Sequence, residues 1–293
     1  MEFVQQQKQK TEEINAFLPN FYPEESGEER TLIEAMNYSV AVGGKRLRPM
    51  ILMEACRMFG GNPEAAKPFA VALEMIHTYS LVHDDLPAMD NDRYRRGNLT
   101  THAKYGEAIG ILAGDGLLNY AFEVMSDAVC LQGAPAAKAM SIIAKKAGVR
   151  GMIAGQTVDL EQTGKALTKE LLDYINERKT SALLCAALMA GAALAGATEE
   201  ELSVLERVGL YVGLAFQIKD DILDVTGDES KLGKPLHSDE KNEKQTYVAL
   251  LGIDAAEEAV KQYSKQAVEL LDTLPYRNPF LKDLLWALAA REY

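Results

Sequence analysis

Along almost the whole of this chain, apolar residues recur three and four positions apart, and the alternation of period two that marks a half-buried strand is nearly absent. Ala, Leu, Glu and Lys, which lose little on entering a helix, dominate the segments so patterned. A sequence written in this period folds as helices, and the expected class is all-α. Helices are predicted near residues 2–17, 27–41, 47–58, 64–86, 105–130, 135–148, 168–178, 180–195, 198–225, 253–273 and 278–291. No Pro/Gly/Ser-rich linker and no shift in composition divides the 293 residues, so one domain is expected over 1–293.

Within this helical frame, Ser80 to Gly97 stands out. It places Asp84, Asp85, Asp90 and Asp92 at the end of an apolar helix, followed by Arg95 and Arg96. Carboxylates beside Leu81, Val82, Leu86 and Met89 cost several kcal/mol per ion unless each is paired or binds a metal, so a cationic partner is required. The arginines carry planar forks suited to phosphate, and acid followed by base suggests a phosphate bridged by metal. Pro87 lacks an N–H and its ring crowds the carbonyl of residue 83, which disfavours an unbroken helix through Asp90. On an ideal helix Asp84 and Asp90 lie about 240° apart, so a break near Leu86 is what brings them together. Asp90-Asn91-Asp92 lacks the glycine and glutamate of a calcium loop, which excludes an EF-hand.

A second acidic cluster lies far down the chain at Gln217-Ile-Lys-Asp-Asp-Ile-Leu-Asp224. Asp220 and Asp224 fall about 40° apart on one helical face, with Gln217 and Asp221 nearby. At the other end, Gly43-Gly44 breaks the chain and Pro49 suits the first turn of the next helix, so Lys45 and Arg48 flank a helix entrance that favours an anion. His77 precedes Asp84 by seven residues, within about 20° of the same face. Gln156 and Asp159 form a polar i, i+3 pair on a helix otherwise suited to burial, either an internal hydrogen-bonded pair or a support for metal ligands. Asp115, in the apolar segment from Gly110 to Met125, receives no chemistry, and that segment packs across the interior or against a second chain. His83, His102 and His237 read as ordinary hydrogen-bonded residues, His102 as structural. The polar, glycine-containing stretch after Asp224 reads as a functional loop or a solvated one.

Charge and cysteine usage limit the remaining classes. Thirty-one basic against 43 acidic side chains give a net charge of −12, which argues against nucleic acid or an anionic membrane as the main partner. No apolar run reaches about 18 residues without charge, so stable membrane insertion is not expected. The first ten residues lack the apolar core of a signal peptide and the Arg/Ser bias of a transit peptide. Cys56, Cys130 and Cys185 are isolated in apolar contexts that suit buried free thiols, and a cytoplasmic, reducing environment is expected.

Asp84-Asp85-Leu-Pro-Ala-Met-Asp90 resembles the first aspartate-rich motif of the trans-type polyprenyl diphosphate synthases in its long form, and Asp220-Asp221-Ile-Leu-Asp224 resembles the second. Gly43-Gly44-Lys45-Arg46-Leu47-Arg48-Pro49, Gly155-Gln156, Lys179-Thr180 and Gln217 stand in that family's order, so the resemblance spans roughly residues 28 to 240. It implies a helical bundle around a central cavity, of the isoprenoid synthase type. It also implies Mg²⁺-dependent 1'-4 condensation of isopentenyl diphosphate with dimethylallyl or geranyl diphosphate. Asp84, Asp85, Asp90, Lys179 and Asp220 then carry catalysis. Asp84 and Asp90 hold two Mg²⁺ ions, and Asp220 with Asp224 a third, Mn²⁺ being the alternative metal. The resemblance gives Gly44, Lys45, Arg48, His77 and Arg96 to isopentenyl diphosphate, and Arg95, Lys179, Thr180, Gln217 and Lys234 to the allylic diphosphate. Tyr79, five residues before Asp84, and Ser80, four before, resemble the floor that stops chain growth in the bacterial farnesyl type, although helix geometry alone leaves Tyr79 as core packing. A homodimer is implied by the resemblance only. Alternatives are a geranylgeranyl diphosphate synthase, a terpene cyclase, a non-catalytic helical partner subunit and a metal-buffering protein.

Overall fold

The computed structural model describes residues 2–227 and 245–290. Lys234 and His237 lie outside the described residues. The elements are α1 (Glu2–Phe17), α2 (Arg30–Ala41), α3 (Leu47–Met58), α4 (Pro63–Asp84), a small hairpin of β1 (Tyr94–Arg95) and β2 (Asn98–Leu99), α5 (Thr101–Tyr105) and α6 (Glu107–Gln132). They continue with α7 (Ala134–Ala147), α8 (Met152–Gln162), α9 (Lys169–Asn176), a π-turn (Glu177–Ser181), α10 (Ala182–Leu194) and α11 (Glu199–Thr226). The last elements are α12 (Tyr247–Leu251), α13 (Ile253–Leu271) and α14 (Pro279–Ala290).

The helices begin where their caps dictate. Asn62 accepts from the Glu64 N–H with Pro63 at the first helical position, and Thr198 forms a reciprocal capping box with Glu201 at the start of α11. α4 and α10 are buried on nearly every side, from Phe69 to Ile76 and from Ala182 to Leu188. α10 packs against α3, α7 and α11, and α4 against α3 and α6, so these two apolar helices form the centre of the bundle. The approach of α10 to α3 is backbone to backbone: a Cβ on Gly191 would stand 2.1 Å from the Leu52 carbonyl oxygen. A second, smaller core of Leu172, Ala215, Ile218, Ile222, Tyr247, Ala256 and Val260 joins α9, α11, α12 and α13.

The all-α expectation is met, and the differences are local. The helix expected over 64–86 stops at Asp84, ahead of Pro87. The one expected over 105–130 is α6, and the short α5 before it was not expected; Gly106 at φ 90° turns the chain between them. The hairpin at 94–99 is too short to show a period in the sequence. It pairs Tyr94 with Leu99 and Arg95 with Asn98 around a two-residue turn in which Arg96 (φ 54°) and Gly97 (φ 76°) both lie in the left-handed region. Cys130 is exposed rather than buried, because it falls on the outer face of the last turn of α6. His102 is buried, with its Nδ1 3.1 Å from the Thr100 hydroxyl.

Candidate active site

The chain folds back on itself where α4 ends. The Asp90 N–H donates to the Asp84 carbonyl at 2.9 Å, Asn91 and Met89 donate to the Leu86 carbonyl, and Asp92 donates to the Asp85 carbonyl. Asn91 takes a left-handed conformation (φ 54°) that completes the reversal. Asp84 and Asp90, six residues apart and on different sides of an ideal helix, are therefore neighbours, both half-buried.

The two Asp-Asp pairs divide in the same way. In the first, Asp84 stays at the half-buried edge while Asp85 is 4% exposed and receives a fork from Arg95, Nε at 2.9 and 3.1 Å from the two carboxylate oxygens and a terminal nitrogen at 2.7 Å. Burial pushes the Asp85 carboxyl above its ordinary range, and the Arg95 hydrogen bonds oppose that shift. In the second, Asp220 is half-buried while Asp221 is enclosed, accepting from Gln217 Nε2 and from the Tyr247 N–H, each at 3.0 Å. The first aspartate of each pair thus faces the accessible side, and the second ties the motif to the scaffold. Asp85, expected among the catalytic carboxylates, is the acceptor of this Arg95 fork. Asp224 is nearly enclosed as well, at 2% exposure.

A chain of polar contacts runs from one pair to the other. Gln156, on α8, donates to Asp84 Oδ1 at 2.8 Å, and Asp159, one turn on, accepts from Lys179 Nζ at 2.7 Å. The two residues therefore do not form an internal pair; each reaches off the helix to a different element. Gly155, just before Gln156, lies against the π-turn, where a Cβ would stand 2.3 Å from the Lys179 backbone nitrogen. The extra residue of the π-turn re-aims Lys179 and Thr180 within what is otherwise one continuous helix from α9 to α10. Thr180 donates to Gln217 Oε1 at 2.9 Å, and Gln217 in turn donates to Asp221. Gly213 backs the same turn, lying under Ser181.

A separate cationic site is assembled from three segments. In the turn between α2 and α3, Gly43, Gly44 and Arg46 all have positive φ. Gly44 lies so close to the hairpin tip that a Cβ would stand 2.5 Å from a terminal nitrogen of Arg96. Arg48 has an enclosed Nε with no hydrogen-bond partner among the described residues, and burial pulls its guanidinium down to about 10. His77 is held well below its ordinary value by burial and then by the positive charges of Arg48, Arg96, Arg95 and Arg46, so it is neutral at neutral pH. An enclosed guanidinium nitrogen without an acceptor, among like charges that depress one another, is an arrangement completed by an anion. Lys45 is exposed and borders a cleft of about 810 Å³ lined also by Leu47, Phe216 and Trp286.

Tyr79 is 6% exposed, and its hydroxyl is buried without a hydrogen-bond partner among the described residues. Burial first, and then the charge of Asp84, push that phenol up to about 12. Its ring stands edge-on to His83, whose Nε2 lies 3.1 Å from the Ile111 carbonyl on α6. The Ser80 hydroxyl donates to the His77 carbonyl on its own helix.

The donor set fits a hard divalent cation. Asp84, Asp90 and Asp220 offer carboxylate oxygens at accessible positions, with no thiolate or imidazole among them. Among the described residues no cluster of three or more His, Cys, Asp or Glu forms a ready cage. Mg²⁺ commonly takes one or two carboxylates and completes its octahedron with water and substrate phosphate. Of the two readings open for Gln156 and Asp159, the bonds to Asp84 and Lys179 disfavour the internal pair, and the sequence signal was two polar residues at i, i+3 on one face of a helix.

A family model described as Polyprenyl synthetase matches residues 29–273, extending past the last motif recognised in the sequence. The farnesyl diphosphate synthase of Geobacillus stearothermophilus is 44% identical over 264 residues, covering 89% of each chain. The geranylgeranyl diphosphate synthase of Cyanophora paradoxa is 45% identical over 249 residues, covering 84% of this chain and 81% of its own. Among solved structures, a geranyltransferase from Helicobacter pylori complexed with magnesium and isoprenyl diphosphate superposes with a TM-score of 0.85 at 34% identity, over 99% of this chain and 97% of that one.

Proposed function

The chain belongs to the polyprenyl synthetase family, and from that premise we propose that it joins isopentenyl diphosphate to dimethylallyl and then geranyl diphosphate, ending at farnesyl diphosphate. It is a prenyltransferase. The observation that supports the reading is a set of side-chain bonds from neighbouring elements: α8 reaches Asp84 through Gln156 and the π-turn through Asp159 and Lys179, and the π-turn reaches Asp221 through Thr180 and Gln217.

In this reading Asp84 and Asp90 would hold two Mg²⁺ ions and Asp220, with the more enclosed Asp224 one turn on, a third, Mn²⁺ being an alternative; bound there, the metal would neutralise charge on the departing diphosphate. Arg95, oriented by Asp85, and Lys179, oriented by Asp159, approach the same diphosphate, with Thr180 and Gln217 beside it and Lys234, in the polar stretch after Asp224, assigned to it from the sequence alone. These donors favour cleavage of the allylic C–O bond, the electron pair leaving with the diphosphate. Isopentenyl diphosphate sits with its diphosphate on Gly44, Lys45, Arg48, His77 and Arg96. Its terminal alkene carbon bonds to the allylic C1, and the resulting cation loses a proton from C2 to the released diphosphate. No side chain in the motifs is placed as an evident base. The apolar walls exclude water that would otherwise quench the cation.

The test is incubation of the purified chain with Mg²⁺, isopentenyl diphosphate and geranyl diphosphate, followed by release of the alcohols with phosphatase and their separation by length. Farnesol as the main product supports the reading, and no alcohol longer than the primer overturns it. A geranylgeranyl diphosphate synthase is as similar in sequence as the farnesyl enzymes, so the stop rests on the buried Tyr79 ring. Tyr79→Ala should shift the main product from farnesol to geranylgeraniol and longer alcohols in the same assay. An unchanged distribution places the stop elsewhere.

We also propose a homodimer through α6. One helix among the described residues, α6, is long and apolar enough by length and composition to cross a membrane. It packs within the bundle against α2, α4, α5 and α7, yet leaves Ile111 and Leu112 about half exposed beside Asp115. A second copy of the same face covers such a patch. Ile111→Glu with Leu112→Glu should convert a two-chain mass to a one-chain mass in light scattering. A native chain that is already monomeric contradicts the assignment. The free thiols Cys56, Cys130 and Cys185 suit a cytosolic placement.

A further inference from the structure

Arg46 lies between the two cationic residues of the α2–α3 turn, yet its own guanidinium is turned away from them. Nε donates to Asn15 Oδ1 at 2.9 Å, one terminal nitrogen donates to Glu74 Oε1 at 2.7 Å, and the other donates to the Val40 carbonyl at 2.8 Å. All three nitrogens are engaged, on α1, on α4 and at the end of α2, and the side chain is 4% exposed. Its backbone is left-handed (φ 48°), a conformation that costs a non-glycine residue roughly 1 kcal/mol or more and persists only where the surroundings impose it. The Arg46 carbonyl then accepts from the Met50 N–H and starts α3. With Arg46 fixed, Lys45 leaves the turn on one side and Arg48 enters the first turn of α3 on the other.

The partner that fixes it is Glu74. It is 3% exposed and stands one turn before His77 on α4, with Thr78 bonded back to its carbonyl. Its charge also acts on Arg48 and Arg96, offsetting the burial that depresses both. One carboxylate on the helix that carries Asp84 is thus joined to the turn that carries the cationic site. We propose that Glu74, acting through Arg46, is a positioning residue for the diphosphate of isopentenyl diphosphate. It touches no substrate; it sets where Lys45 and Arg48 stand and keeps the cationic site from repelling itself before the anion arrives. The inference rests on the reading above that Lys45, Arg48, His77 and Arg96 receive that substrate.

Steady-state kinetics with each substrate varied in turn test it. Glu74→Gln should raise KM for isopentenyl diphosphate about tenfold while KM for geranyl diphosphate stays within about twofold, and Glu74→Asp should fall between it and wild type. A residue that merely stabilises the fold would lower the active fraction, and with it apparent kcat, without raising one KM selectively. Because a lone buried Arg46 can unfold the chain, Arg46→Met with Glu74→Leu removes the ion pair without leaving an uncompensated charge. This double variant should melt near the wild-type temperature and still show the raised KM for isopentenyl diphosphate. A wild-type value in either variant, or equal rises in both constants, overturns the positioning role. Lys45→Ala separates the two claims. If it leaves KM for isopentenyl diphosphate unchanged, the substrate assignment falls and the positioning role with it. If it raises that constant selectively while the Glu74 variants do not, the positioning role alone falls.

Discussion

Asp84→Ala should leave the enzyme folded at its normal melting temperature and lower kcat on the order of 10³-fold or more at saturating Mg²⁺. The residue closes α4 at a half-buried edge, contributes nothing to the apolar core, and is fixed in place by Gln156 and by the fold-back that brings Asp90 alongside. In the proposed reading its removal subtracts a metal ligand, together with the acceptor of the Gln156 amide, and leaves the apolar core untouched. Measurement of kcat across a Mg²⁺ titration, paired with a thermal melt, checks both halves. Wild-type turnover at high Mg²⁺ would remove the metal assignment from the first acidic patch. The matching change at Asp85 should behave differently. Asp85→Ala strands the Arg95 fork and should cost stability as well as rate, because a buried partner is lost.

The second large effect is expected from one methyl group. Gly155→Ala should lower stability by about 1–3 kcal/mol and kcat by about 10²-fold, although residue 155 meets no substrate. The added Cβ would stand 2.3 Å from the Lys179 backbone nitrogen, so α8 and the π-turn must separate. That movement loosens two contacts at once, Gln156 on Asp84 and Asp159 on Lys179. Thermal melts read the first effect and single-turnover kinetics the second. A variant with native melting and native turnover would mean that the path between the patches does not carry positional information.

The helical period and the spacing of the acidic clusters were legible because both are local. Three or four residues define a face, and Pro87 announces a break wherever it lies in a helix. The halves of each Asp-Asp pair could not be told apart in this way. Asp84 and Asp85 are adjacent in an apolar segment, and only the return of Arg95 from the hairpin and the seat under α12 distinguish Asp85 and Asp221 from their neighbours. The hairpin itself was invisible because two-residue strands carry no period, and the π-turn because one inserted residue leaves the apolar pattern of α9 and α10 almost unaltered. Arg46 shows the same limit. In the run Gly-Gly-Lys-Arg-Leu-Arg the sequence assigns Lys45 and Arg48 to an anion and gives Arg46 no role, because the contacts that make it scaffold come from Asn15 and Glu74, on other helices. Cys130 was misplaced for a simpler reason, since an apolar neighbourhood in sequence at a helix end does not fix which side faces the bundle.

That two distant carboxylate patches grip a single pyrophosphate through divalent ions is tested most directly by a crystal structure of the chain soaked with Mg²⁺ and inorganic pyrophosphate. One pyrophosphate should lie between the patches, with metal density bridging it to Asp84 and Asp90 on one side and to Asp220 on the other. A pyrophosphate whose metals touch only one patch, with the other turned to bulk solvent, would contradict the site proposed here.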